Sequence, residues 1–148
     1  MNNHNNQPIW PELFLADTHT NIELPCALVS IRAGFPSPAE DYLEQRLDLN
    51  RKLIANPSNT FFVRVKGESM NGDGISDGDL LVVDRSLPPT DQSILVCFID
   101  GEFTLKRARC MQDGCFLLPS NPDQLPIRVH PGSDLRIWGV VTYSIKKH

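Results

Sequence analysis

From Thr60 onward the sequence alternates between apolar and polar residues, and that alternation limits what the chain is able to build. Phe61, Val63 and Val65 interleave with Phe62, Arg64 and Lys66, the two-residue period of a strand with one buried face. Short runs of the same kind follow at Leu80–Asp84, Ile94–Ile99, Glu102–Lys106, Cys115–Leu118 and Leu135–Ser144. Asp100-Gly101 separates two of them and is a two-residue hairpin signal. Asp77-Gly78-Asp79 and Asp113-Gly114 mark further turns. Short strands with Gly and Pro turns predict a compact, mostly antiparallel β domain. The last run carries Ile137, Trp138, Val140, Val141 and Tyr143. Apolar residues thus fall on both faces, which fits either a central strand or a homodimer interface.

The residues before Thr60 read differently. Met1 to Pro8 is an Asn-rich polar tail with nothing to bury. Ile9 to about Pro38 holds isolated apolar residues and one cluster, Leu28, Val29 and Ile31, an extended arm with room for one strand. Between Ala39 and Ile54, Leu43, Leu47, Ile54 and one of Leu49 or Leu53 recur at spacings near three and four. That predicts a short helical segment, broken or whole, closed by Asn56-Pro57-Ser58-Asn59. The domain division is therefore 1–38 as a flexible arm and 39–148 as the β domain.

Composition narrows the function. Of 148 residues, 41% are hydrophobic, enough for a core. Fourteen basic against 18 acidic side chains leave a net charge of −4, which speaks against direct DNA binding, since that needs clustered Lys and Arg. No apolar run is long enough to span a membrane. No export signal opens the chain, so a cytoplasmic location is expected. Cys26, Cys97, Cys110 and Cys115 form no C-x-x-C pair, and the four histidines stand apart, so no metal site or cofactor is called for. In that compartment the thiols are expected to be reduced, with a Cys110–Cys115 disulfide as the minority alternative.

Gly67-Glu68-Ser69-Met70-Asn71-Gly72-Asp73-Gly74-Ile75 leaves a strand and enters a glycine-rich turn. A serine on such a turn exposes its hydroxyl, and neighbouring N–H groups are able to hold an oxyanion. An ordinary turn serine satisfies the same pattern. To act as a nucleophile, Ser69 needs a base. His130 is the histidine inside the β domain, but it lies in a loop beside Pro131-Gly132, and the residue order matches no Ser-His-Asp arrangement. The other base is Lys106, in Gly101-Glu102-Phe103-Thr104-Leu105-Lys106-Arg107. A lysine serves once burial makes it neutral near pH 7. Strand alternation, however, puts Lys106 with Glu102 and Thr104 on the polar face. The residues alone permit a Ser-Lys dyad and do not demand one.

Two segments carry a resemblance that decides between these readings. Gly67-Glu68-Ser69-Met70, followed by Gly74-Ile75-Ser76-Asp77-Gly78-Asp79-Leu80-Leu81-Val82-Val83-Asp84, resembles the nucleophile segment of the LexA/UmuD-type Ser-Lys self-cleaving proteases, peptidase family S24. Gly101 to Arg107 resembles the family's base-bearing strand, and the 37-residue interval from Ser69 to Lys106 fits it. Ala33-Gly34-Phe35-Pro36-Ser37-Pro38-Ala39-Glu40-Asp41-Tyr42 resembles the self-cleavage site of the UmuD branch. The likeness runs from about Leu28 to Tyr143. Only 33 residues precede the cleavage site, and Pro8, Pro11 and Pro25 interrupt them. They do not fit the helix-turn-helix that LexA carries there.

The resemblance implies a LexA C-terminal-type β fold and a function in SOS mutagenesis. Ser69 would be the nucleophile and Lys106 the general base. The scissile bond would join Ala33 and Gly34, with backbone N–H groups of Glu68 and Ser69 as the oxyanion site. Partners implied are a second copy in a homodimer, the RecA–single-stranded-DNA filament and a Y-family polymerase subunit of the UmuC type, for translesion synthesis in error-prone repair. Two alternatives belong to other classes. One is a non-cleaving dimeric binding module for polymerase or RecA; the other is a protease acting on other proteins.

Overall fold

The computed structural model describes residues 13–27, 34, 44–68, 70–119, 123, 125–132 and 134–148. The Asn-rich tail, the Leu28–Ile31 cluster and the start of the expected helix fall outside them.

Among the described residues, ten strands form two sheets in which every pairing is antiparallel, as the alternation predicts. They are β1 Leu13–Leu15, β2 Glu23–Ala27, β3 Glu44–Asp48, β4 Thr60–Arg64, β5 Leu80–Asp84, β6 Ile94–Ile99, β7 Glu102–Met111, β8 Gly114–Leu118, β9 Ile127–Arg128 and β10 Arg136–Ile145. Eight make one sheet in the order β1-β4-β5-β10-β6-β7-β8-β9, while β2 and β3 pair separately. The strands expected at 80–84 and 94–99 have those limits. Strand β7 continues five residues past Lys106.

The last long strand is central: β10 lies between β5 and β6. This explains its two apolar faces. Trp138 and Val141 pack on a cluster containing Val63, Val65, Met70, Ile75, Leu81, Val83 and Val96. Ile137 packs on a second cluster of Leu95, Cys97, Ala108, Leu117 and Val140. Strand β10 shifts register against β6 between Ile137 and Gly139. A Cβ at Gly139 would stand 2.6 Å from Val83 Cγ1, closer than carbon atoms tolerate, so glycine is required where β10 crosses β5.

Local turn chemistry sets the hairpin registers. Asp100 and Gly101 both take positive φ, 50° and 82°, the backbone of the primed turns that match strand twist. They join β6 to β7 with Ile99 opposite Glu102.

Two expectations are corrected. The helical segment is shorter than the leucine spacing suggests: α1 spans Leu49–Leu53, and Glu44–Asp48 is strand β3. Pairing decides this, because each of those five residues lies opposite one of Glu23–Ala27. Asp48 then caps α1, its carboxylate accepting from the Asn50 N–H at 2.9 Å. The second correction concerns the thiols. Cys110 and Cys115 are disulfide-bonded, whereas four reduced cysteines are expected from the compartment. The two-residue turn Gln112-Asp113 sets Cys110 directly opposite Cys115, with Cα atoms 4.0 Å apart. Register brings the sulfurs together regardless of compartment. Cys26 and Cys97 remain thiols.

Among the described residues, no helix is long and apolar enough to cross a membrane, and no group of His, Cys, Asp or Glu side chains could hold a metal ion.

Candidate active site

The segment joining β4 to β5 is a folded loop, pinned at several points. Val65 N donates to Asp79 O at 2.9 Å and Gly78 N to Val65 O at 2.9 Å, closing its base. The Gly67 N–H donates to the Asp77 carboxylate at 2.7 Å. Met70 is 4% exposed and Ile75 2%, so two apolar side chains root the loop in the main core. A 3-10 turn at Asn71–Asp73 follows Met70, whose carbonyl accepts from Asp73 and Ile75. Ser69 lies outside the described residues. Its neighbours are exposed Glu68 and buried Met70. The Glu68 carbonyl accepts from Asn71 at 3.1 Å.

The rear of this loop is held by a charge. The Asp79 side chain is 4% exposed. It accepts from the Ser76 N–H at 2.9 Å and from Lys146 Nζ at 2.9 Å. Lys146 also donates to Ser76 Oγ at 2.8 Å. The Ser76 N–H, then the Lys146 ammonium, hold the Asp79 carboxyl below the usual carboxylate range against the opposing effect of burial. The chain just beyond β10 thus locks the loop in place.

Lys106 sits in the middle of β7, opposite Leu95 of β6. It is half-buried, not the solvated lysine that strand alternation describes, because both faces of β7 are covered. Phe103 and Leu105 pack on the cluster holding Met70 and Ile75. Ala108 and Cys110 pack on the other. Burial pushes the Cys97 thiol up to about 12, with the Lys106 charge pulling the other way. Cys97 is therefore an inert core thiol near the lysine.

Strand and loop are tied together next to Lys106. Leu105 packs on the core cluster to which Met70 and Ile75 also belong. Arg107 Nε donates to Asp73 Oδ1 at 2.7 Å, and Arg107 Nη1 donates to the Gln92 carbonyl at 2.7 Å. One guanidinium fork thereby joins β7, the 3-10 turn after Met70 and the bend before β6. Sequence reasoning missed this tie. Arg107 stands beside Lys106 in the chain, but nothing local identifies Asp73, 34 residues earlier, as its partner.

Ala33 also lies outside the described residues. Gly34 is exposed, with φ +83°. The flanking strands are clear: the connection containing both residues runs from the end of β2 to the start of β3, which pair with each other. His130 lies between β9 and β10 and is exposed. A cavity of about 330 Å³ between α1 and the ends of β5 and β10, lined by Arg51, Lys52, Thr60, Asp84 and Tyr143, includes neither Lys106 nor the 67–79 loop.

Residues 25–142 match the Peptidase S24-like family. The chain is similar to Protein MucA of Salmonella typhimurium, 45% identical over 126 residues that cover 84% of this chain and 86% of the relative. It is similar to Protein SamA of the same species, 47% identical over 115 residues, covering 78% and 79%. It is also similar to LexA repressor 1 of Geobacter sulfurreducens, 40% identical over 125 residues, covering 84% of this chain and 61% of the repressor.

Proposed function

The chain belongs to the peptidase S24-like family, on its UmuD-like side, which acts in SOS mutagenesis, and from that premise we propose that it cleaves its own Ala33–Gly34 bond with a Ser69–Lys106 dyad. Neutral Lys106 takes the hydroxyl proton of Ser69, and the serine oxygen attacks the Ala33 carbonyl. The N–H groups of Glu68 and Ser69 stabilise the oxyanion. The proton passes from Lys106 to the departing Gly34 amine. Water then adds to the acyl-enzyme, leaving a carboxylate on Ala33 and free Ser69.

The observation that carries this reading is the tie of the 67–79 loop to β7 through Arg107 and Asp73, with Leu105, Met70 and Ile75 sharing one core cluster. It joins the loop whose sequence includes Ser69 to the strand whose sequence includes Lys106. The arm, residues 1–38, supplies the substrate, and the domain, 39–148, supplies the dyad. Reach sets no limit, since the 35 steps from Gly34 to Ser69 could span about 115 Å extended. Docking of the cleavage segment completes the desolvation of Lys106, so docking is the regulated step. The RecA–single-stranded-DNA filament favours the docked state. The trimmed product, as a homodimer in the cytoplasm, serves as accessory subunit to a Y-family, UmuC-like translesion polymerase.

The test is incubation of the purified chain at neutral and alkaline pH, with products weighed by mass spectrometry. Wild type should yield pieces ending at Ala33 and starting at Gly34, faster at high pH, where a lysine base is more often neutral. Ser69→Ala and Lys106→Ala should stay intact. A wild type that remains uncut at both pH values, and also with RecA, single-stranded DNA and nucleotide, would leave the binding-module reading. Cleavage of an added Ser69→Ala chain by wild type would show action between molecules.

A further inference from the structure

Cutting the chain between β2 and β3 severs none of the strand ladders that hold the residues before the cut. Strand β1 pairs with β4 in the register Leu13–Val63, Phe14–Phe62 and Leu15–Phe61. Ala16 N donates to Thr60 O at 3.1 Å. By antiparallel alternation, Phe14–Phe62 is then the next hydrogen-bonded pair. Leu13 packs on the main core cluster, and Ala16 is buried. Further along, β2 pairs with all five residues of β3. The Glu23 carbonyl accepts from Arg46 Nη2 at 2.6 Å, and the Thr20 carbonyl from Asn50 Nδ2 at 3.0 Å. Each of these bonds joins a residue before position 28 to one after position 43.

We infer that the N-terminal piece remains bound after the connection is cut, as a strand ligand of the β domain, and that its release is a separate, later step. The site it occupies is the outer edge of β4. The other edge of β4 is paired with β5, so β1 covers the one edge that remains. An edge that accepts an antiparallel strand with an apolar residue at the position of Leu13 is a strand-addition site. Its occupant before and after cleavage is the chain's own Leu13–Leu15. The β2–β3 seam is weaker, since two strands with one exposed face hold poorly alone and Leu24 is 57% exposed. Release therefore proceeds from β2 toward β1, and the β4 edge opens last.

The inference rests on the proposed cleavage for its biological meaning, and the experiment separates the two. A foreign protease site is placed between Gly34 and Tyr42 in a Ser69→Ala chain, and the wild type is left to cut itself. Denaturing mass spectrometry reads whether each chain is cut. Native mass spectrometry and gel filtration read whether the pieces travel together, and hydrogen exchange follows residues 60–64. Both pieces should stay in one particle, with 60–64 as protected as in the uncut chain. Phe14→Pro removes one ladder donor and should release the piece several-fold faster. Prompt separation of the externally cut chain, with 60–64 exchanging freely while β5 and β6 stay protected, would overturn the inference. Retention in the externally cut chain, with the wild type uncut, would sustain it and sink self-cleavage instead.

Discussion

The two sheets of this chain are held by different forces. In the large sheet, Leu81, Val82, Val83, Leu95, Cys97 and Leu117 have no exposed surface, and the central strands are covered on both faces. In the small sheet, Leu24 is exposed, and the seam is a backbone ladder with one arginine across it. Apolar burial at about 25 cal/mol per Å² makes the first a source of stability. The second contributes little and lies where the chain is proposed to be cut. Such a division lets one bond break in the periphery without loosening the scaffold that carries Lys106.

The sharpest way to break that contrast is to truncate one leucine in each sheet. Leu95→Ala in the large sheet should cost about 2–5 kcal/mol, by lost transfer energy and a cavity. Leu24→Ala in the small sheet should stay within about 0.5 kcal/mol. Urea midpoints at constant slope measure both. Equal losses would mean that the small sheet is part of the core.

The next largest effect is on rate. Arg107→Ala removes the tie between β7 and the loop. The proposed self-cleavage should slow by about 10- to 100-fold, the consequence of a misplaced reacting group, while the pH profile keeps its shape because the proposed base, Lys106, is untouched. Asp73→Asn should act in the same direction, and the double variant should be little worse than Arg107→Ala, as expected for two partners of one contact. Additive losses would dissolve the tie into two unrelated defects.

The disulfide tests whether β8, toward the far side of the large sheet, needs a covalent staple. A loop this short is worth about 2 kcal/mol in the chain-entropy account. Reduction should therefore lower stability by up to that amount and leave cleavage unchanged. Without reductant, alkylation should label Cys26 alone in the native chain, because Cys97 is buried with its thiol pushed up to about 12. Labelling at Cys110 or Cys115 under those conditions would count against the bond.

What was legible in the sequence divides along the same line. The limits of β5 and β6 follow from period and turn residues, which are local, and so does the Asp100-Gly101 hairpin. Strand β3 was not legible: Leu43 and Leu47 fit a helical spacing, and only pairing with distant β2 makes Glu44–Asp48 extended. Strand β1 has three residues, too few to show a period. At the site, a glycine-rich turn suggests Ser69, but alternation misplaces Lys106, because it assumes one solvated face on a strand that is covered on both. Family resemblance, not periodicity, singles out Ser69, Lys106 and Ala33-Gly34. The Arg107–Asp73 and Lys146–Asp79 ties span 34 and 67 residues, and no local pattern encodes them.

The smallest expected effect is on acid stability, and it sharpens the contrast because both responsible carboxylates belong to the large sheet and its loop. Asp79 is held low first by the Ser76 N–H and then by Lys146. For Asp84, burial raises the carboxyl, and the Ser86 hydroxyl, the Asn56 amide and the N–H groups of Ser86 and Leu87 together outweigh it. A carboxyl whose folded pKa lies below its unfolded value, about 3.9 for aspartate, stabilises the fold above that value and loses the contribution as pH falls through the folded one. Stability should therefore be level near neutrality and fall below about pH 4. Lys146→Met removes the second of the influences on Asp79 and leaves the Ser76 N–H. Part of the acid-dependent loss should disappear, with a lower plateau at neutral pH, in urea titrations at a series of pH values. Lys146→Arg should restore part of that plateau. A Lys146→Met chain with an unchanged acid profile would show that the Ser76 N–H alone sets the Asp79 carboxyl, leaving Lys146 a surface lysine with no part in locking the loop.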